Sequence, residues 1–445
     1  MDELLTKSAA DQGRAITAGA DPRALTEAYL NAISVHPDRD RIYARTTPER
    51  ARAEAAAAAE RMKSGMSKGP LDGVPISWKD LYDVAGAGCE GGTQILKGRI
   101  ADTDCEVVQR GSAAGTICLG KTHTTEIAFS GLGVNPKTGT PPNAIQPELA
   151  PGGSSSGAAV STKLNLAALG IGSDTGGSVR IPAGWNDLVG LKTTAGQIPT
   201  TGVIALSPTY DTVGPLTKTV EDAALMYSVL ADCPLPDWDG AALDEDRIHV
   251  AETFVRDGCD DGIVEAMDEA MELLASAGAN VTRGPTPEFT DVFTTMSEVA
   301  PIVPGEAWAE WGDRIKANRR VMWPPIEART RSGENIDPEK DAQARAEMDA
   351  HSTNLKARIA EHGLIALPTS PCMPPNAERL LNDPDFFGER NLLALRNTRI
   401  GNLLTLSSIT IPTRTPMCGL MLFAPPNAEE RLLRIGRAME KVFQG

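Results

Sequence analysis

Two glycine-rich serine loops and one lysine are the residues of this 445-residue chain whose types and spacing could do covalent chemistry. The first loop is Gly152-Gly153-Ser154-Ser155-Ser156-Gly157, and the second is Gly172-Ser173-Asp174-Thr175-Gly176-Gly177-Ser178. The lysine is Lys79, at the end of the run Val74-Pro75-Ile76-Ser77-Trp78. A serine hydroxyl is a weak nucleophile until a base takes its proton. A lysine set against Val74, Ile76 and Trp78 can be that base, because desolvation disfavours the ammonium form. The glycines allow the N–H groups of Thr175, Gly176, Gly177 and Ser178 to converge on one point, as an oxyanion requires.

Spacing links the two loops. Ser154 and Ser178 are 24 residues apart. A helix of about 11 residues travels roughly 17 Å, and a strand of about six residues returns roughly 20 Å. Both loops therefore come to the same end of a sheet. Ser154 precedes the helix, where free backbone N–H groups favour a polarised or anionic group. Taken singly, each loop would be a tight turn with a serine cap, and Lys79 a strand-end lysine holding its amine out to water. Asp174 and Arg180 flank the second loop and read as a charge pair that braces it. Ser155 reads as a hydrogen-bonding support for the first loop.

Three other motifs lack the context they need. Gly153-Ser154-Ser155-Ser156-Gly157 fits the nucleophile-elbow expression, which would make Ser155 the nucleophile. That fold needs a downstream acid and histidine, and His249, His351 and His362 stand in no marked loop. Gly115 to Thr122 fits a phosphate-loop expression, but there the apolar segment is itself the strand and a helix precedes it. Gly170-Ile171-Gly172 with Gly176 is a displaced dinucleotide pattern. His123 is read as a structural hydrogen-bonding residue.

The elements that must position these residues alternate between short strands and longer helices. Two helices broken near Asp21-Pro22 fill 8–35, and a helix fills 47–64. A strand leads to Lys79, a helix spans 104–114, and Thr116–Leu119 is a strand. Residues 129–153 hold five Gly and five Pro and read as a long loop, which inside a compact domain is usually functional. A helix and an apolar strand then fill 157–173. Strands are expected at 247–251 and 363–368, helices at 262–277 and 340–361, and an amphipathic helix at 427–443. Residues 285–335 and 369–390 read as irregular and Pro-rich. The alternation implies an α/β fold with a helix-covered sheet. No repeat or linker divides the chain, so residues 1–445 are expected to form one domain, with a helical N-terminal segment over 1–65.

Composition narrows the function classes. With 41% hydrophobic and 23% charged residues, the chain has an ordinary globular balance. Its formal charge of -16 argues against a phosphate-binding face, so no nucleic-acid partner is expected. The seven cysteines are scattered and form no C-x-x-C pair, which fits free thiols in the cytoplasm and offers no metal framework. No apolar run approaches a membrane span. The N-terminus shows no secretory pattern. A homodimer is left open.

The run Pro151 to Ala159 followed by Gly172 to Ala183 resembles the core of the amidase-signature family. Gly69-Pro70-Leu71-Asp72-Gly73-Val74-Pro75-Ile76-Ser77-Trp78-Lys79-Asp80 resembles that family's lysine strand. Gly120 to Glu126, Asn135-Pro136 and Gly190-Leu191-Lys192 also match, so the resemblance covers about 69–216, with looser matches at Leu364–Pro371 and Gly401-Asn402. The pattern is broken at Trp78, Asn186-Asp187 and Thr193, which leaves Lys79, Ser154 and Ser178 in place. The resemblance implies the amidase-signature fold, a mixed twisted sheet covered by helices. It implies Ser178 as nucleophile, Ser154 as bridging serine after a cis peptide, and Lys79 as base. It implies hydrolysis of a small-molecule amide through a seryl acyl-enzyme, with no cofactor and no metal. Two other activities fit the same pattern: the glutaminase component (the A subunit) of the tRNA-dependent amidotransferase, and hydrolysis of a carbamoyl or urea derivative. Pocket walls are expected from 127–147, 301–330 and 369–395, with Ala128, Phe129, Ser130 and Gly131 contacting substrate.

Overall fold

The computed structural model describes residues 1–238 and 240–444. Eleven strands make one mixed sheet: β1 (Tyr43–Thr46), β2 (Pro75–Lys79), β3 (Ile117–Thr122), β4 (Gly170–Asp174), β5 (Val189–Lys192), β6 (Thr212–Thr217), β7 (Arg247–Ala251), β8 (Asn280–Gly284), β9 (Leu364–Pro368), β10 (Ser407–Pro412) and β11 (Gly419–Ala424). Their order is β1-β3-β2-β4-β6-β5-β10-β11-β9-β7-β8. The wings β3-β2-β4 and β9-β7-β8 are parallel, and the centre from β4 to β9 is antiparallel. Helices pack around this sheet, which is the α/β arrangement the alternation predicts.

The site depends on the parallel pair β2 and β4. Both strands are buried at every residue, as expected of parallel strands covered on both faces. Ser77 pairs with Gly170 and Trp78 with Ile171. That register brings Lys79, the last residue of β2, level with the end of β4 where Ser173 and Asp174 lie. Trp78 is fixed edge-on against Tyr82, with ring centroids 5.5 Å apart. The Tyr82 hydroxyl in turn donates to the Gly172 carbonyl at 2.6 Å and joins the two strands beyond their ladder.

Local sequence explains the helices that frame this pair. Asp21 caps Pro22–Val35 by accepting from the Arg23 N–H, with Pro22 at the first helical position, where its missing N–H costs nothing. The alanines of Pro48–Lys63 put Ala51, Ala55, Ala58 and Ala59 on one buried face, close against β3. The helix Ser156–Lys163 starts directly after the first serine loop and packs on β2, β4 and β6. The stretch 129–155 carries no helix or strand, as the sequence predicts.

Two stretches differ from expectation. Residues 285–335 are not irregular but hold helices Glu288–Thr294, Ile302–Ala317 and Pro324–Arg331, with a π-helical turn at Thr295–Val299. Within 369–390 lie Ala377–Asn382 and the start of Pro384–Ala394. Two of the prolines that suggested loops instead begin helices: Pro324 and Pro384 open theirs, and Asp383 caps the latter by accepting from Phe386 N–H. These helices build a second core around Trp311, Trp323 and Phe387.

Candidate active site

Lys79 is wholly buried and its Nζ donates to Ser154 Oγ at 2.6 Å, Ser173 Oγ at 2.8 Å and Ser155 Oγ at 3.0 Å. Among the described residues no carboxylate pairs with it. Burial lowers its pKa to about 7, while the charges of Asp174 and Asp211 pull the other way. A large fraction of this amine is therefore neutral near pH 7, and a neutral amine can accept a proton.

The first serine loop meets the amine from above the Ser156–Lys163 helix. The Gly153–Ser154 peptide is cis, as the family resemblance implies. Ser155 Oγ donates to the Ser173 carbonyl at 3.2 Å and accepts from Ser173 N–H at 3.3 Å, so its hydroxyl is occupied by the β4 backbone and Lys79. These contacts occupy the hydroxyl at the elbow position. Gly172 must lack a side chain here, because a Cβ would lie 2.6 Å from Ser155 Oγ. The Ser155 N–H donates to the Ser178 carbonyl at 3.2 Å and ties the two loops together.

The second loop is organised around Asp174. Its carboxylate accepts from Arg180 Nε and Nη at 3.0 Å each, from Gly177 N–H at 2.8 Å, from Val179 N–H at 3.0 Å and from Asn402 Nδ2 at 2.9 Å. Burial alone would raise the carboxyl pKa, but the Arg180 guanidinium outweighs it and holds the group well below the usual carboxylate range. Arg180 is itself fully buried and also donates to Asn402 Oδ1 at 2.6 Å. Asp174 and Arg180 thus form a fully buried ion pair under the loop. One expectation changes: the Gly177 N–H is committed to Asp174, so it is not an oxyanion donor. The Thr175, Gly176 and Ser178 amides have no protein acceptor among the described residues and remain available. Gly177 is needed for shape, with φ at 132° and Thr398 Oγ1 only 2.1 Å from where a Cβ would sit.

Ser178 opens into a cavity of about 270 Å³ whose walls include Ala128, Phe129 and Ser130, three of the four expected substrate contacts. Gly131 does not line it. Its N–H donates to Asn391 Oδ1 at 2.9 Å, and a Cβ there would meet Leu395 at 2.8 Å, so it sits behind the wall. Of the expected pocket segments, the part of 131–147 is absent from the lining; Met296 comes from the region 285–390 expected to build the pocket, whereas Leu206, Arg399 and Leu403 contribute from regions not anticipated. Helix Arg396–Leu403 is the largest omission, since Thr398 Oγ1 also donates to the Gly176 carbonyl at 2.7 Å.

Sequence reasoning also missed Asp211. Its Oδ1 accepts from Thr175 Oγ1 at 2.5 Å and its Oδ2 from the N–H groups of Leu206 and Ser207 at 2.8 and 3.1 Å. Burial pushes its pKa up to about 6. Nothing in the Thr209–Thr212 sequence marks that position; only the pairing of β6 with β4 brings it near. Ser173 was inside a recognised loop but given no role. His123 is structural, its Nε2 set 3.1 Å from the Asp40 carbonyl. Lys121, the lysine of the phosphate-loop expression, lies in β3 and pairs with Asp80 at 3.1 Å. No three His, Cys, Asp or Glu side chains among the described residues stand close enough together to hold a metal ion.

Comparison with known proteins places this geometry among relatives. The family model described as Amidase matches residues 24–433. The chain is 34% identical to a 2-amino-5-chloromuconic acid deaminase of Comamonas testosteroni over 403 residues, 88% of this chain and 87% of the relative. It is 28% identical to the A subunit of the glutamyl-tRNA(Gln) amidotransferase of Streptomyces coelicolor over 483 residues, 100% of this chain and 97% of the relative. A solved structure described as an amidase superposes with a TM-score of 0.86 at 26% identity, covering 98% of this chain and 100% of its own.

Proposed function

The chain belongs to the amidase-signature family, whose members hydrolyse carbon–nitrogen bonds, and from that premise we propose that Lys79, Ser154 and Ser178 carry its reaction on a small linear amide. Neutral Lys79 takes the Ser154 proton as Ser154 takes that of Ser178. The Ser178 Oγ attacks the amide carbonyl carbon, and the N–H groups of Thr175, Gly176 and Ser178 hold the developing oxyanion. Losing one such donor typically costs about 100- to 1,000-fold in rate. Ser154 then returns a proton to the leaving nitrogen as the C–N bond breaks. Water, activated by the same pair, releases the acid from the ester.

The observation that carries this reading is Lys79: a fully buried lysine hydrogen-bonded to three serine hydroxyls and paired with no carboxylate among the described residues. Lys121 keeps a counter-ion in Asp80, and Lys192, also buried without a carboxylate among the described residues, donates to the Thr193 and Leu406 carbonyls. The three serine partners of Lys79 are instead hydroxyls that can pass it a proton.

A second reading, the glutaminase component of the tRNA-dependent amidotransferase, draws support from the near full-length similarity to such proteins. The charge of -16 speaks against tRNA binding by this chain alone. One experiment separates the readings. The purified chain is treated with a fluorophosphonate probe and peptide-mapped, and ammonia release is assayed on simple amides and on glutamine. We expect the adduct on Ser178 and ammonia from small amides without tRNA or a partner. An adduct on Ser155 would sink the relay, and glutamine turnover that appears only with tRNA and a partner protein would establish the second reading.

A further inference from the structure

The cavity in front of Ser178 is mostly apolar, yet two arginines, Arg329 and Arg399, line it and no acidic residue does. Neither arginine has a carboxylate within salt-bridge distance among the described residues. Arg331, two positions along, shows the contrast, pairing with Glu327 at 2.9 Å and Glu334 at 3.3 Å. The Arg329 Nε is buried with no hydrogen-bond partner. Its guanidinium lies over the Phe129 ring, 4.4 Å from the centroid. Arg399 donates through Nε and one Nη to the carbonyls of Leu395 and Leu392 at 3.1 and 3.2 Å, which leaves its other Nη uncommitted. Partial burial lowers the pKa of both guanidinium groups, with the Arg399 charge adding to the effect on Arg329. Both stay cationic at neutral pH.

Two like charges set in a mostly apolar cavity wall, only partly open to water and without a counter-ion, destabilise the empty site. A ligand that supplies the anion relieves that cost, and a planar guanidinium matches a carboxylate in geometry as well as charge. The apolar wall around them suits a short hydrocarbon chain between the anion and the scissile amide. We propose that Arg329 and Arg399 form a carboxylate-binding subsite and that the substrate is an amide which also carries a carboxylate. This rests on the amidase reading above.

The test compares succinamate, glutaramate and adipamate with butyramide, valeramide and hexanamide as substrates. It also measures how the corresponding dicarboxylates slow fluorophosphonate labelling of Ser178. We expect kcat/KM at least 10-fold higher for the anionic member of the pairs, and protection by dicarboxylates but not by the alkyl amides. Arg329→Met and Arg399→Met should each cut the anionic-over-neutral ratio at least 5-fold, while Arg329→Lys and Arg399→Lys keep part of it. The labelling arm needs no variant, so a misfolded substitution does not leave the idea standing by default. Equal kcat/KM across the pairs with no protection, or methionine variants that scale both substrates by one factor, would overturn the subsite while leaving the amidase reading intact. A Ser178 that takes no label, with no amide turned over, would remove both.

Discussion

A lysine amine serves as a base only if its environment abolishes most of its natural preference for the proton. At Lys79 the environment is dry, and the amine's polar neighbours are serine oxygens rather than carboxylates. Asp174 is near enough to matter electrostatically, but Arg180 neutralises it. The Asp174–Arg180 pair therefore also keeps the Lys79 amine from being locked as an ammonium ion. Below its pKa of about 7 the amine is protonated and cannot accept, so kcat/KM should rise with pH through a midpoint near 7. A rising limb centred near the ordinary lysine value would contradict this. Lys79→Met keeps the length of the side chain and removes the base. It should fold and lose about 100- to 10,000-fold in kcat/KM, as read from steady-state rates beside a thermal melt. A folded Lys79→Met enzyme with near-wild-type turnover would rule out the relay.

At the scale of elements, the turn Asp174–Ser178 continues from β4 and is held by helix Arg396–Leu403. Asn402 is the hinge pin: it accepts from Arg180 and donates to both the carboxylate and the carbonyl of Asp174. Asn402→Ala strips one partner from each member of a buried ion pair. The loss should cost about 1–3 kcal/mol in stability and lower kcat at least 10-fold with a smaller change in KM, because the turn that aims Ser178 loosens. Unaltered kcat and an unaltered melt would show that the helix does not support the turn. These long-range contacts explain what was and was not readable beforehand. The two serine loops and Lys79 were legible because their spacing across a helix and a strand already fixes where they meet. Asp211, Arg399 and the Leu206 wall were not, because they reach the site only through β6 pairing and helix packing, which leave no periodic trace in their own segments. The Pro-rich stretch 285–335 misled for a local reason. Proline at a first helical turn looks, in sequence, like proline in a loop.

Over the whole molecule, the charge of -16 and a set of buried ionisable groups make stability depend on pH in a way that no single site determines. Asp211 and Asp222 are each raised to about 6 and Glu440 to about 7, all chiefly by burial. For these groups the folded state keeps its protons longer than the unfolded chain. Their contribution is full at low pH and is lost as pH rises through about 4 to 7. Lys79 and Lys192 are lowered to about 7, so their contribution moves the opposite way: it is absent below 7 and returns only toward the unfolded lysine value. Acid therefore costs little until the depressed carboxylates such as Asp268 begin to protonate. Near-neutral pH is where both sets are unfavourable, and growing negative charge adds self-repulsion there. The melting temperature should accordingly be higher at pH 5.5 than at pH 7.5. Glu440 tests the cause. It accepts from the Val220 N–H at 2.9 Å at the seam between the helices Val220–Ala231 and Glu429–Gln444, with Asp222 pressing its pKa up further. Glu440→Gln keeps an acceptor for that N–H and removes the charge. It should raise the melting temperature at pH 7.5 by about 1–3 °C and leave it nearly unchanged at pH 5.5, so that the gap between the two pH values narrows. Calorimetry at both values decides the matter: a gap that stays the same width, or a variant less stable at pH 7.5, would mean that the buried carboxylates do not set the pH response of this fold.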